Sequence, residues 1–206
     1  MIGLLLRGRQ RLGLLPVFFF WAILGMTGSA LAEVRLITPS GFRPSVPFLV
    51  RVEMRDNTGA RDWNLWDADA LLTADHRGIS FSASRVVLRN GLGTALLTIS
   101  GNTDFTLTAT VNGERATRTV RNLTGQPSVA VQGTLPGTST IWSGIVTVTG
   151  DITVPSGHTL TIQPNTFVLI NSVASGTSGI SVTVNGSIQS LGTEFSPVVI
   201  TCWRPI

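Results

Sequence analysis

The sequence predicts an all-β chain in two parts: a sandwich of short antiparallel strands, then the opening levels of a stack of β-coils. Three observations predict it. Val146–Ile152 (Val-Thr-Val-Thr-Gly-Asp-Ile) returns at Val182–Ile188 (Val-Thr-Val-Asn-Gly-Ser-Ile), with five of seven positions matching at an offset of 36 residues. An offset of roughly 20–50 residues marks a repeat architecture in which each unit buries its apolar face only against a neighbour. Ahead of this echo, short apolar–polar alternations are separated by Asn-Gly turns, the period-2 signature of half-buried strands. Composition also changes near residue 125. Residues 33–125 hold 11 Arg and 9 acidic side chains, whereas residues 126–206 hold only Arg204, Asp151 and Glu194 and are rich in Thr, Ser, Gly, Val and Ile.

Taken in order, the first 32 residues read as a secretion signal. Arg7, Arg9 and Arg11 form a basic start, Leu12–Leu24 an apolar stretch, and Ala30-Leu-Ala32 an A-x-A cleavage site that makes Glu33 the first mature residue. The alternative is an uncleaved anchor, since Leu12–Ala32 approaches the ~20 residues a bilayer needs. Pro16, Gly25, Gly28 and Ser29 interrupt that helix and favour cleavage. Contact with a membrane is expected only through this segment, if it is kept. No Cys follows it closely, which argues against a lipid anchor.

Without the signal, 12 Arg face 11 acidic residues. A near-neutral chain has no electrostatic footprint for nucleic acid. Cys202 is the only cysteine, so an exported chain must hold itself together by sheet packing rather than by an internal disulfide.

Residues 33–125 read as strand throughout. Phe48–Met54 alternates with Phe48, Val50, Val52 and Met54 on one face, and Phe105–Val111 repeats the pattern. Asn112-Gly113 follows and predicts a type I′ hairpin turn with Glu114–Val120 as the return strand, because both central residues of that turn need φ > 0. Asn90-Gly91, between Arg85–Arg89 and Thr94–Ile99, gives a second hairpin signal. Asp67–Leu72 admits either a strand or a short helical turn. Phe48–Asp56, Leu71-Leu-Thr73, Val87–Ala95 and Phe105–Val111 together resemble bacterial immunoglobulin-like domains of secreted surface proteins. The strand, Asn-Gly-Leu-Gly, strand element is the most specific part, and the cysteine pair of antibody-type domains is absent. The resemblance implies an immunoglobulin-like β-sandwich over residues 33–125.

Gln126-Pro127 and Leu135-Pro-Gly137 mark a junction. Beyond it, Trp142-Ser-Gly144, Val146–Pro155, Gly157–Val168, Val184–Thr193 and Ser196–Thr201 resemble the first turns of a right-handed parallel β-helix, as in large exported bacterial proteins with CotH-like or lamin-tail modules. The resemblance implies an incomplete β-helix over residues 126–206, and an N-terminal fragment of a longer surface protein. The family's usual Gly is replaced by Asn165, which still tolerates a left-handed conformation. Leu160, Ile162, Phe167, Val168 and Ile170 are expected to fill the coil. Thr201–Ile206 fits no coil pattern.

Chemistry-bearing residues are sparse. There is no G-x-S-x-G, Walker A, H-E-x-x-H or C-x-x-C motif. His76 and His158 both lie in polar turns and are expected at the surface. No cofactor is implied. The only candidate metal ligands are Asp67, Asp69 and Asp75, toward Ca²⁺, and they lack the glycine and closing glutamate of an EF-hand loop. Trp63, Trp66 and Trp142 are candidates for stacking on a sugar ring, against packing within the fold as the alternative. A polysaccharide lyase or hydrolase needs paired carboxylates, but Asp151 and Glu194 lie in different turns. The expectation is a non-catalytic exported scaffold, structural or adhesive, whose partners are polysaccharide or other cell-surface components. The alternative is the non-catalytic start of a larger secreted enzyme.

Overall fold

The computed structural model describes residues 32–171 and 179–203, and the signal expected over residues 1–32 lies outside them but for Ala32. Every regular element among the described residues is a strand. The first nine are β1 (Glu33–Ile37), β2 (Gly41–Phe42), β3 (Pro47–Arg55), β4 (Ala68–Ala74), β5 (Ser80–Phe81), β6 (Arg85–Leu88), β7 (Leu92–Ser100), β8 (Phe105–Val111) and β9 (Glu114–Asn122). They form two sheets, ordered β1-β3-β7-β5 and β2-β9-β8-β4-β6. One apolar core lies between them: Val50 and Val52 of β3 and Leu97 and Ile99 of β7 meet Leu72 of β4 and Leu107 and Ala109 of β8. The alternation read from the sequence is the alternation of burial, since Phe48, Val50, Val52 and Met54 are all buried. Asp67–Leu72 enters β4 as a strand and not as a helical turn.

Both Asn-Gly pairs take left-handed backbone, Asn90 at φ 51° and Gly91 at 69°, Asn112 at 51° and Gly113 at 91°. Asn112-Gly113 closes the β8–β9 hairpin, with Val111 opposite Glu114. Asn90-Gly91 does something different. Only Arg89 and Leu92 exchange backbone hydrogen bonds across it (2.9 and 3.0 Å). β6 then joins β4 in one sheet and β7 joins β3 in the other. The turn is a corner between sheets, not the end of a ladder.

The remaining strands are β10 (Val129–Thr134), β11 (Ser139–Trp142), β12 (Ile145–Val154), β13 (Thr159–Ile162), β14 (Phe167–Asn171), β15 (Val182–Val184), β16 (Ser187–Ser190) and β17 (Val199–Trp203). All of their pairings are parallel. One sheet runs β10-β12-β14-β17, with β15 also on β12, and the other runs β11-β13-β16. Successive levels therefore stack strand on strand. Leu135, Trp142, Val146, Val148, Ile152, Val154, Leu160, Ile162 and Val168 enclose a second core. Asn165 stands at φ 59°, as a left-handed turn position requires.

The register corrects the 36-residue echo. Val146 pairs with Val168, and Val182 pairs with Ile152, so the two copies of the motif meet only where the first ends and the second begins, and they do not stack in register. The levels that do stack are Thr134-Leu-Pro136 and Thr153-Val-Pro155, through Thr134 beside Thr153 and Leu135 N–H to the Thr153 carbonyl (2.9 Å). Levels differ in length. Val129 lies beside Val146, 17 residues on, whereas Val168 lies beside Ile200, 32 residues on. The extra chain of the longer level falls between β14 and β15. Thr201–Trp203 also departs from expectation, because it extends β17 along β14.

The outer face of the parallel sheet rests on the first unit. Val168 points into the coil core, so its neighbours Phe167 and Leu169 point outward. Both are buried, and with Val199 they face Phe42, Phe48 and Leu123 across a gap of only about 20 Å³. Phe167 thus packs on the sandwich, not inside the coil as its apolar character alone suggested. Polar contacts rim this seam. The Arg35 guanidinium meets the Glu194 carboxylate at 2.5 Å and lies 5.0 Å from the centre of the Phe195 ring. Arg118 donates to the Phe195 carbonyl, and the Ser40 hydroxyl donates to Asn165 Oδ1 at 3.1 Å.

Candidate functional site: an exposed tryptophan loop

The β3–β4 connection, residues 56–67, is built from its own polar side chains. Asp56 accepts hydrogen bonds from the Thr58 hydroxyl (2.6 Å), the Thr58 N–H (2.8 Å) and the Ala60 N–H (3.2 Å). The Thr58 hydroxyl, then its N–H, hold the Asp56 carboxyl below the usual carboxylate range. Because the folded value is depressed, this cap is present above the unfolded value and is lost as pH falls through the folded one. Asp62 accepts from the Asn64 N–H at 3.0 Å, making a second local turn.

The loop is pinned to the β6–β7 corner. Gly91 N–H donates to the Leu65 carbonyl (2.9 Å), Met54 N–H to the Gly91 carbonyl (2.8 Å) and Asp62 N–H to the Met54 carbonyl (2.9 Å). A Cβ at Gly91 would run into the Asp62 carbonyl. The glycine is therefore needed twice, for its positive φ and for this close approach.

The loop holds Trp63 and Trp66 in solvent, 61% and 60% exposed. The Arg61 guanidinium sits 3.4 Å from the centre of the Trp63 ring. Asp62 and Asn64 flank that ring in the chain. Two largely exposed aromatic rings, Trp63 with Arg61 over one face, and neighbouring carboxylate and amide groups suit a sugar, whose C–H face stacks on a ring and whose hydroxyls take hydrogen bonds. Trp142 does not join them. It is 6% exposed within the coil core, so its ring is withdrawn from any surface ligand, and its indole N–H has no hydrogen-bond partner.

The three candidate calcium ligands do not converge either. Asp67, at φ 55°, contacts Arg89, Asp69 pairs with Arg85 at 2.9 Å, and Asp75 accepts the Thr106 N–H at 2.7 Å. That last bond holds the Asp75 carboxyl below its ordinary value. Each acid is engaged by its own partner, and among the described residues no three His, Cys, Asp or Glu side chains cluster as a metal site.

The acids of the coil part are likewise engaged. Asp151 accepts the Ser181 N–H at 2.8 Å, and Glu194 is the partner of Arg35. His76 is an exposed turn residue whose Nδ1 accepts from the Gly78 N–H at 3.0 Å. His158 is not at the surface. It is 1% exposed, with Nδ1 2.9 Å from the Gly137 carbonyl and Nε2 3.0 Å from the Thr140 hydroxyl. The carbonyl only accepts, so Nδ1 donates to it, while Nε2 shares a hydrogen bond with the threonine hydroxyl. The ring joins one coil level to the next. Glu53, which no motif marks, is buried between Arg51 (3.4 Å) and Arg55 (3.2 Å). Its signal was an acid between two arginines at positions two apart on one strand.

No protein-family model and no curated protein matches the chain. Among solved structures, the chain is similar to domains 4–9 of the surface layer protein SbsC, at 17% identity and a TM-score of 0.35, over 47% of this chain and 15% of that one. It is similar to a β-glucuronidase of Parabacteroides merdae at 16% identity and a TM-score of 0.33, over 45% of this chain and 12% of that one. Domains 4 and 5 of the S-layer protein SbsC give 15% identity and a TM-score of 0.31, over 44% and 53%. Each overlap covers less than half of this chain, so the functional reading rests on the site itself.

Proposed function

We propose that this chain is a non-catalytic exported scaffold of the bacterial cell surface, structural or adhesive. In this reading an immunoglobulin-like sandwich over residues 33–125 supports the first coils of a right-handed parallel β-helix over residues 126–206, and the leader is removed before Glu33. The observation that carries the reading is how the reactive groups are used. The two acids of the coil part hold backbone and seam, while the exposed Trp63 and Trp66 rings belong to a loop clamped by Gly91. Polysaccharide is the partner class that fits such a loop.

A panel of immobilised polysaccharides tests both halves of the proposal. The protein is expected to be retained on at least one of them without releasing reducing ends. Trp63→Ala and Trp66→Ala are each expected to weaken retention about 5–30-fold, corresponding to about 1–2 kcal/mol for one lost ring contact. Reducing ends released by the wild type and abolished by Asp151→Asn or Glu194→Gln would replace the scaffold by an enzyme.

A further inference from the structure

A groove runs along the side of β9 that faces the coil levels. Two adjoining hollows of about 750 and 510 Å³ form it, sharing Arg121 and Leu123, and every residue that lines them falls within 40–167. Each volume lies in the roughly 300–1,000 Å³ range of ligand sites. β2 covers β9 only at Arg121 and Asn122. The Arg121 N–H donates to the Ser40 carbonyl at 2.9 Å. By the period of two, the main-chain groups of Thr119 and Thr117 turn to that same side, where no strand of the described residues pairs with them. The charge of the groove is one-sided. Among the described residues, Arg118 meets the Phe195 carbonyl and ring but no carboxylate, and the Arg121 guanidinium meets none either. The one acid of the lining, Asp104, accepts the Asn122 N–H at 2.8 Å. The apolar lining is mostly covered, with Ile145 and Phe167 each 8% exposed. It therefore offers no deep apolar pocket for a peptide's anchoring side chain and no open ring for a nucleic-acid base.

We propose that this groove binds an acidic polysaccharide, with carboxylate-bearing sugars set against Arg118 and Arg121. The inference deepens the polysaccharide reading above and rests on it. A guanidinium takes a carboxylate through two parallel N–H bonds. The two arginines stand on opposite faces of β9, about 10 Å apart along the strand. One small anion does not engage both at that separation, whereas a polymer charged on successive units does. Between them, the hydroxyl and main-chain groups of Thr117 and Thr119 donate to and accept from sugar hydroxyls. The tryptophan loop is pinned beside β6, at the opposite edge of the same sheet. The groove therefore selects charge independently of ring stacking at Trp63 and Trp66.

The test measures retention of the full chain on polygalacturonate and on its methyl ester, which has the same backbone without the charge. The acid form is expected to bind tenfold or more tightly. Arg121→Gln, at an exposed position, and Arg118→Gln are each expected to remove most of that preference while leaving retention on the ester unchanged, with the fold checked by circular dichroism. Arg85→Gln, at the far edge of the sheet, is expected to keep the preference, because the effect belongs to the groove and not to diffuse charge. Equal retention on the two polymers would overturn the proposal, as would a preference that survives Arg121→Gln or is lost equally in Arg85→Gln. Galacturonate monomer or inorganic sulfate binding as tightly as the polymer would give the groove to a small anion, and tighter binding of polyglutamate would give it to an acidic peptide; either result overturns it. Retention on the ester that Trp63→Ala weakens, without any preference for the acid, would leave the tryptophan reading standing and the groove refuted. An acid preference lost in Arg121→Gln but unmoved by Trp63→Ala and Trp66→Ala would do the reverse.

Discussion

Gly91→Ala is expected to destabilise the protein by about 2–4 kcal/mol and to unseat the tryptophan loop. Two costs add. A non-glycine residue held in left-handed backbone costs about 1–2 kcal/mol, and Gly91 stands at φ 69°. The new methyl group also meets the Asp62 and Met54 carbonyls, so the backbone that carries Trp63 and Trp66 has to move. Gly113 separates the two costs. It occupies the same kind of Asn-Gly turn at φ 91°, but a Cβ there meets nothing within 4 Å. Gly113→Ala is therefore expected to lower the urea midpoint by the backbone term alone. It should leave tryptophan emission unchanged, whereas Gly91→Ala lowers the midpoint further and shifts that emission. Equal midpoints and unchanged emission in both variants would contradict the clamp.

His158→Ala is expected to cost about 2–4 kcal/mol, from two lost hydrogen bonds and the cavity left by a buried ring. Thr140→Val removes only the bond at Nε2 and is expected to cost about 1 kcal/mol. The ring connects Gly137 and Thr140 of one level to the turn of the next, so its removal loosens the stack and not merely one turn. Urea unfolding followed by circular dichroism measures both variants. An unchanged midpoint for His158→Ala would show that the levels hold without this ring.

Local pattern carried the fold a long way. The alternation over Phe48–Met54 and Phe105–Val111 foretold which side chains are buried, and the two Asn-Gly pairs and Asn165 foretold left-handed backbone. What the sequence did not disclose depends on partners far away in the chain. His158 looks like any turn histidine until the preceding level brings the Gly137 carbonyl and Thr140 hydroxyl to its two nitrogens. The Val-Thr-Val echo records a shared strand-and-turn pattern, but stacking register is set by level length, and the longer chain between β14 and β15 breaks any fixed period. Period-2 alternation says that Phe167 and Val168 face opposite ways, but not that the sandwich covers the outer face. For the same reason a Trp three residues from another could be named as a surface candidate, while burial separated Trp142 from Trp63 and Trp66.

The parallel levels are stabilised by the sandwich on which their outer face rests. Backbone ordering costs about 1–2 kcal/mol per residue, and apolar side chains return about 25 cal/mol per Å² only where something covers them. Phe167 and Leu169 are covered by the first unit, while Val182, Val184, Ile188 and Ile200 are open to solvent. Unfolding of residues 33–125, residues 126–206 and residues 33–206, each followed by circular dichroism and sedimentation, tests this most directly. Residues 33–125 should unfold cooperatively as a monomer, residues 126–206 should show no cooperative transition and should self-associate, and residues 33–206 should regain the transition of the coil part. A monomeric 126–206 fragment with a sharp, reversible transition matching that of the longer chain would show that the levels hold without the sandwich.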